Sequence, residues 1–591
     1  MAGRCAKSTA IANPELPILD DRRRVIRKSG AGPRRAIVLL LVQAAIAVHV
    51  AHWMSTGRTL SPLEPSESMQ FSKSGVVNAG LVFFALSIGS TLLLGRWFCG
   101  WGCHVVALQD GSRWLLSKIG VRPRAVNLGI LGAVPWIAFV YMFLAPIVQR
   151  LLRGVAPAAA TLHLTTGSFW ETFPSLPVAI ATFLVCGFAA VYLLGSKGFC
   201  TYGCPYGGIF GVADQLSPFR ILVNENCEGC GHCTAVCTSN VRVHEEVRDY
   251  GAVVDPGCMK CLDCVSVCPK DALRVGFGAP ALFASRRTEP AGPKPGFGST
   301  LADLLLLGAF FVGAYAVLLD FDTDLQKIQG VAALLAVLTA LSLVVAALFR
   351  ARSQRPREHS RAEEALLGGF FLLALYAFRG YRNSVPLLFA LGLSSILAYV
   401  AVSGLRLLYR KQVKLQGHVL RAAGRWTAAG TLFAGALLPL GGFWGYAAWS
   451  RRALREAYAQ GVGYAGAGAM DQALPALLRA VELDPGYHDV QEKYASLLAD
   501  AGRFDEAIVQ FRAAIARKPD RPETHALLGL ALFQNGAGPE ARKELERAIE
   551  IAPKSPDLHD MLAEVCSGLG DEECAKAHQL EAGRLRAEAG G

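Results

Sequence analysis

The sequence predicts a mainly α-helical, polytopic membrane protein with a small cysteine-rich α+β insert and a C-terminal α-solenoid. Three observations predict it. Seven apolar runs are about as long as a bilayer is thick, eight of the sixteen cysteines fall in two groups of identical spacing, and the tail repeats every 34 residues.

The 591 residues are 52% hydrophobic and only 18% charged, against roughly a quarter charged in soluble proteins. The length exceeds one domain. The net charge of +12 sits in short runs between apolar segments. Nucleic-acid binding needs that charge gathered on one surface, so lipid is the expected partner and nucleic acid is not. Residues 1–35 are polar and basic, without the short apolar core and small-residue cleavage site of a signal peptide, and are read as a cytoplasmic segment.

A hydrocarbon core about 30 Å thick takes about 20 helical residues. Clear runs of that length lie at 36–54, 76–95, 126–149, 178–195, 328–349, 385–405 and 427–449, with shorter ones at 304–319 and 365–378. Stretch 21–35 has seven Lys or Arg, loop 96–125 five, 350–363 five and 406–425 six, whereas 55–75, 147–177, 320–327 and 379–384 have two, two, one and two. The positive-inside rule reads this alternation as nine spans, N-terminus in the cytoplasm of an inner-membrane protein and C-terminus outside.

Two duplications accompany the spans. Leu94-Gly95 and Cys99-Gly-Trp-Gly-Cys103 recur as Leu194-Gly195 and Cys200-Thr-Tyr-Gly-Cys204, and Leu307-Gly308-Ala309-Phe310-Phe311 recurs as Leu367-Gly368-Gly369-Phe370-Phe371. In the tail, Gly468, Gly502, Gly536 and Gly570 share one register; Ala473, Ala507, Ala541 and Ala575 a second; Ala480, Ala514, Ala548 and Ala582 a third; Pro485, Pro519 and Pro553 end the first three units. Small residues let paired helices approach, Gly turns between them, and Pro ends the second. Four tetratricopeptide (TPR) repeats follow, a surface suited to a protein partner. The expected organisation is a basic segment 1–35, a four-span domain 36–215, a ferredoxin-like domain 216–280, a five-span domain 300–450 and the repeats at 454–589.

The chemistry lies in Cys227-Glu-Gly-Cys230-Gly-His-Cys233-Thr-Ala-Val-Cys237 and Cys258-Met-Lys-Cys261-Leu-Asp-Cys264-Val-Ser-Val-Cys268-Pro269, both C-x2-C-x2-C-x3-C. In this two-cluster ferredoxin pattern the fourth cysteine of each run serves the other cluster. One [4Fe–4S] cluster then takes Cys227, Cys230, Cys233 and Cys268, and a second takes Cys258, Cys261, Cys264 and Cys237. Zinc would favour two separated ligand pairs. Thiolates kept for metal also call for a reducing compartment. Thr238 stands where this pattern usually has Pro.

Cys99, Cys103, Cys200 and Cys204 offer four more thiolates, read as lying one helical turn apart in each pair at the membrane surface. They are candidates for a third redox or metal site, a further cluster or a soft metal such as Cu(I), or else a structural thiol pair. His49 and His52 share one face of the first span. They could contact quinone or haem, or simply hydrogen-bond near the interface. His104 is a further candidate ligand or proton carrier. Cys5 and Cys186 have no partner in sequence, whereas Cys566 and Cys574 flank the last turn and could form a disulfide if the tail is outside, or equally pack unpaired. No catalytic residue is singled out, and whether the chain is an enzyme stays open.

Paired C-x3-C motifs at span ends, followed by a two-cluster segment, resemble the membrane polyferredoxins, the NapH-, NosR- and CcoG-like 4Fe–4S proteins, over about 36–275. The resemblance implies electron passage between quinol, cytoplasmic clusters and periplasmic enzymes, or help in maturing metal centres. The chain departs from the simple members in having His104 rather than Pro after its first C-x3-C, whereas Pro205 follows the second. It also adds a hairpin repeat, a ninth span and the TPR tail. Three functions follow: a membrane electron carrier between the quinone pool and a respiratory or reductase partner, a maturation factor that reduces or delivers metal, and a TPR assembly scaffold with structural clusters.

Overall fold

The structure is a computed structural model that describes residues 28–124, 126–152, 160–166, 176–288, 297–319, 325–350, 358–379, 386–518, 521–553 and 555–590. Cys5 and most of the basic segment 1–35 lie outside them. The chain divides into two compact units, one of residues up to Tyr376 with Pro386–Pro439, the other chiefly Leu440–Gly591.

Each of the nine candidate spans holds a helix among its described residues, although Val76–Val77, at the head of the second, form a strand. Ala31–Thr56, Gly129–Leu152, Gly298–Leu319, Leu387–Tyr409 and Ala428–Gly466 are long and apolar enough to cross a bilayer, and Ala79–Leu94, Ala179–Leu194 and Ala332–Ala346 are shorter apolar helices. The remaining one, Arg361–Arg379, carries Glu363 and Glu364 in its first turn. The chain is a multi-pass membrane protein. Two spans contain π-helical stretches, Val140–Leu144 and Phe183–Ala189, of the kind that often marks functional positions. The two hairpin copies meet where Phe310 packs edge-on against Phe371 at 5.7 Å.

Several contacts between loops follow the charge alternation, although Glu64 of a Lys/Arg-poor loop meets His104 of a Lys/Arg-rich one. Thr59–Leu60 pairs with Thr165–Thr166, and Val76–Val77 with Thr161–Leu162, joining two of the Lys/Arg-poor loops. The Lys/Arg-rich loops join one another. The Arg124 amide donates to Gln416 Oε1 at 2.7 Å, and His359 Nε2 lies 2.6 Å from the Asn127 carbonyl. Glu363, buried at the head of its helix, binds Arg406 and Arg410, each at 3.0 Å. That pairing accounts for Glu363 at the start of an otherwise apolar helix.

The tail is a stack of helix pairs: His488–Asp500 with Phe504–Ile515, Pro522–Gln534 with Gly538–Ile551, and Pro556–Gly568 with Glu572–Gly590. Its first pair joins Met470–Leu483 to the end of Ala428–Gly466, so the expected boundary at 450–454 falls inside one continuous helix. Gly468, Gly502, Gly536 and Gly570 take φ of 74°, 74°, 81° and 77° in the turns, a conformation glycine adopts freely. The alanines of both registers are buried between the helices. Cys566 and Cys574 are disulfide-bonded.

Because Ala507 is fully buried at a helix crossing, Ala507→Leu should overpack the stack at a cost of about 1–3 kcal/mol. Hydrogen exchange of the whole protein should quicken in His488–Asp500 and Phe504–Ile515 and stay unchanged in Val243–Tyr250. Unchanged exchange in the two tail helices would show that they do not pack through this register.

Candidate metal centres

The cysteine runs are framed by an antiparallel pair of strands, Phe219–Val223 and Leu273–Phe277, with Ile221 opposite Val275. A small core of Ile221, Val241, Val243, Val247, Val253 and Leu273 supports them. Each run then follows the same backbone path. Gly229 and Gly231 have φ of 69° and 75°, and their counterparts 31 positions on, Lys260 and Leu262, have 51° and 65°. Asn240 at 60° and Asp271 at 48° form a third matched pair, each three residues beyond a fourth cysteine. Left-handed backbone is unfavourable for side-chain-bearing residues. Its repetition at matched positions reflects what wrapping a chain around a cubane demands rather than local composition.

Cys227, Cys230, Cys233 and Cys268 line one cavity. Cys237 lies instead beside Cys258 and Cys261, with Cys264 near both. Burial, then the neighbouring Cys230 sulfur, push the Cys233 thiol up to about 12. Burial, then Cys261, do the same to Cys237, to about 12. Buried sulfurs this crowded are thiolates only if cations sit among them, and iron fits that demand. Among the described residues no three His, Cys, Asp or Glu side chains close on a single ion. Thiolates that each bind a different iron of a cubane stand further apart than ligands of one ion.

The C-x3-C pairs differ from their expected geometry. Cys99 lies in the short helix Trp97–Trp101, but Cys103 caps the next helix, His104–Lys118. Cys200 lies in Gly198–Tyr202, and Cys204 caps Pro205–Leu216. Each pair therefore brackets a break rather than one helical turn. Gly102 and Gly203 end the first helices, and Pro205 suits the first position of its helix. The four sulfurs come together: Cys204 lies near Cys200, Cys103 and Cys99. None of the twelve motif cysteines is disulfide-bonded.

The second cysteine run is docked on the first of these turns. A Cβ on Gly100 would lie 2.2 Å from the Met259 carbonyl oxygen. Trp101 Nε1 donates to the Lys260 carbonyl at 2.9 Å, and the Arg96 guanidinium to that of Pro256 at 2.6 Å. Below them lies Asp214, fully buried, which binds Lys260 Nζ at 3.0 Å, Arg220 at 2.8 Å and the Arg96 amide at 3.0 Å. Burial opposes its charge, but Lys260 and Arg220 hold its carboxyl below the usual range. A second anchor joins Asp263 to Arg35 at 2.7 Å, Arg35 to Asp110 at 3.2 Å and Asp110 to Lys197 at 2.5 Å.

Sequence reasoning passed over Arg96, Gln109, Lys197 and Asp214. Arg96 and Lys197 did carry a signal, since each stands three residues before the first cysteine of its motif. The histidines are placed differently. His49 Nε2 lies 3.1 Å from the Leu60 carbonyl and His52 Nδ1 3.1 Å from Thr59 Oγ1, so both hold the end of the first span to its following strand. The structure does not bring them to the cysteines. His104 instead meets Glu64 at 3.5 Å beside Cys103.

Comparison with known proteins matches the same segments. A 4Fe-4S binding domain family covers 78–122 and 177–223, a 4Fe-4S dicluster domain family 226–273, and tetratricopeptide repeat families 458–522 and 498–565. The chain is 27% identical to "Putative electron transport protein YccM" of Escherichia coli, over 39% of this chain and 63% of that one. It is 27% identical to "Ferredoxin-type protein NapH" of Haemophilus influenzae, over 33% and 65%. It is also 27% identical to "Methylamine utilization ferredoxin-type protein MauN" of Methylorubrum extorquens, over 32% and 65%. The chain thus spans a little under two thirds of the length of these three relatives.

Gly100→Ala, which forces a methyl into the Met259 carbonyl, should loosen the second cysteine run from the membrane turn. Limited proteolysis should then cut near 256–262 faster than in the parent protein. Gly111→Ala, with open space around its Cβ, is the control. Equal cutting rates in all three proteins would show that the turn does not hold the run.

Proposed function

We propose that this chain, which is similar to ferredoxin-type membrane proteins and matches 4Fe–4S and tetratricopeptide repeat families, carries electrons between the membrane quinone pool and a respiratory or reductase partner. Two [4Fe–4S] clusters serve this flow, one held by Cys227, Cys230, Cys233 and Cys268, the other by Cys258, Cys261, Cys264 and Cys237. The observation that carries the reading is the docking of the Met259–Lys260 loop on Gly100–Trp101. It brings the second cysteine run against the turn between Cys99 and Cys103, which supports a relay from the membrane through the second run to the first. The first run, with Cys227, Cys230 and Cys233 partly exposed, is the natural exit to a partner.

The chain's own residues have defined parts in this reading. The twelve cysteines hold iron, which when bound supplies the one-electron chemistry. Asp214, Lys260 and Arg220 fix the second run against the turn. Main-chain amides aim at the ligand sulfurs, as that of Ala272 does at Cys268 Sγ, 3.2 Å away, and such bonds adjust cluster potentials. No nucleotide-binding glycine motif is evident in the sequence, which favours a lipid-soluble donor or acceptor over direct nicotinamide binding.

Anaerobically purified protein should contain about eight irons for the two clusters, and more with a third centre. Cys268→Ser should damage the cluster held mainly by the first run, seen in its EPR signal. In membranes, a quinol analogue should bleach the cluster absorbance, and this response should fail when Cys99, Cys103, Cys200 and Cys204 are all Ser. About four irons or fewer would end the two-cluster reading. Bleaching that survives loss of the four cysteines would take them off the route.

The ferredoxin segment and the tail are proposed to face opposite sides, cytoplasm and outside. The charge alternation supports this, as does the Cys566–Cys574 disulfide, a bond of oxidising compartments. The TPR surface would then hold a protein partner outside. Reporter fusions after residues 275 and 455 should give opposite signals. Identical signals would mean that one of the short apolar helices does not span.

A further inference from the structure

We propose that Arg96, Lys197 and Gln109 form a buried collar that holds an anionic thiolate-ligated centre at Cys99, Cys103, Cys200 and Cys204 and sets its reduction potential. The proposal rests on the reading that these four cysteines carry a redox metal centre, and it assigns three further residues to it.

The collar is built from the duplication. Arg96 and Lys197 each stand three residues before the first cysteine of their motif, at matched places in the two copies. Arg96 is 5% exposed and Lys197 2%. The Arg96 guanidinium reaches Cys99 Sγ at 3.9 Å, and the Lys197 charge acts on the Cys200 sulfur. Gln109, with no exposed surface, donates through Nε2 to Cys200 Sγ at 2.9 Å. Two further atoms lack a hydrogen-bond partner among the described residues, Arg96 Nε and Gln109 Oε1.

The charges do not close within the protein chain. Lys197 is answered by Asp110, which also answers Arg35. The Arg96 guanidinium donates to the Pro256 carbonyl and to Cys99 Sγ, while the nearby Asp214 binds the Arg96 main-chain amide and is already paired with Lys260 and Arg220. A buried cation needs an anion beside it. Four neutral thiols, or two disulfides, would leave Arg96 only Asp214, a single carboxylate already shared by Lys260 and Arg220. Four thiolates around iron supply the charge, and a carboxamide N–H aimed at a ligand sulfur is the sort of bond that tunes a cluster. Adding an electron makes such a centre more negative, so adjacent cations and N–H donors favour the reduced form.

The test is an EPR-monitored redox titration of the full chain, with dithionite as the electron source. The signal of the four-cysteine centre is identified by its loss, together with iron, in Cys200→Ser. Arg96→Gln and Gln109→Leu should each retain that signal but lower its potential. The reduced-to-oxidised ratio at fixed potential should fall tenfold or more, which is 59 mV for a one-electron couple. Arg96→Lys, which keeps the charge, should restore most of the shift. The signal of the cluster assigned mainly to the first run, which Arg96 and Gln109 do not touch, serves as the folding control and should not move. An unmoved four-cysteine signal in both variants would overturn the collar, as would a common shift of all signals. Unchanged iron and signals in Cys200→Ser would instead remove the centre itself, a separate failure.

Discussion

One buried carboxylate ties the ferredoxin segment to the membrane helices at three points. Asp214 ends the helix that starts at Cys204, and it is wholly withdrawn from solvent. It binds the strand after it through Arg220, the second cysteine run through Lys260, and the turn before Cys99 through the Arg96 amide. Removing one partner of such a buried group costs about 3–5 kcal/mol. That energy is spent on register: the Cys258–Cys261 loop is held at one depth and one angle against Gly100. Electron transfer between centres depends on such placement, and a hydrophobic contact, being non-directional, would not fix it.

The duplication gives the membrane region its form. Each copy runs down a span, turns at a positive-φ glycine, Gly95 or Gly195, makes one short helix and breaks again at the second cysteine. The two copies bring their four sulfurs to one place, where a single copy would offer only two. Asp110 and Gln109, on the helix leaving the first copy, reach Lys197 and Cys200 of the second. The copies are thus bonded crosswise, and neither half-site is complete alone.

The 4Fe–4S segment and the TPR period were legible because each rests on a spacing that geometry imposes on the chain itself. So were the apolar helices, since bilayer thickness dictates their length. The broken C-x3-C turns were less so. Gly102 and Gly203 mark the breaks in hindsight, but a four-residue spacing reads equally well as one turn of helix. Asp214, Arg96 and Lys260 could not be assigned from sequence, because their roles depend on partners up to 160 positions away. Lys260, which stands directly before the ligand candidate Cys261, is almost wholly buried. The helix that runs from an apolar span into the first repeat hid the domain boundary, since no turn residue marks it.

The matched left-handed residues carry a further consequence, for biogenesis. Lys260 and Leu262 occupy a backbone conformation that costs of order 1–3 kcal/mol each for side chains of their size, and Lys260 is also the residue that reaches Asp214. With a cluster held by the sulfurs on either side, as proposed, metal–sulfur bonds would repay this strain, and iron insertion and folding of the loop would be one equilibrium. A cell short of iron would not accumulate a well-formed but empty carrier. It would hold an unclosed segment at the membrane surface, open to proteases, so that quality control acts on the iron supply through the shape of a single loop.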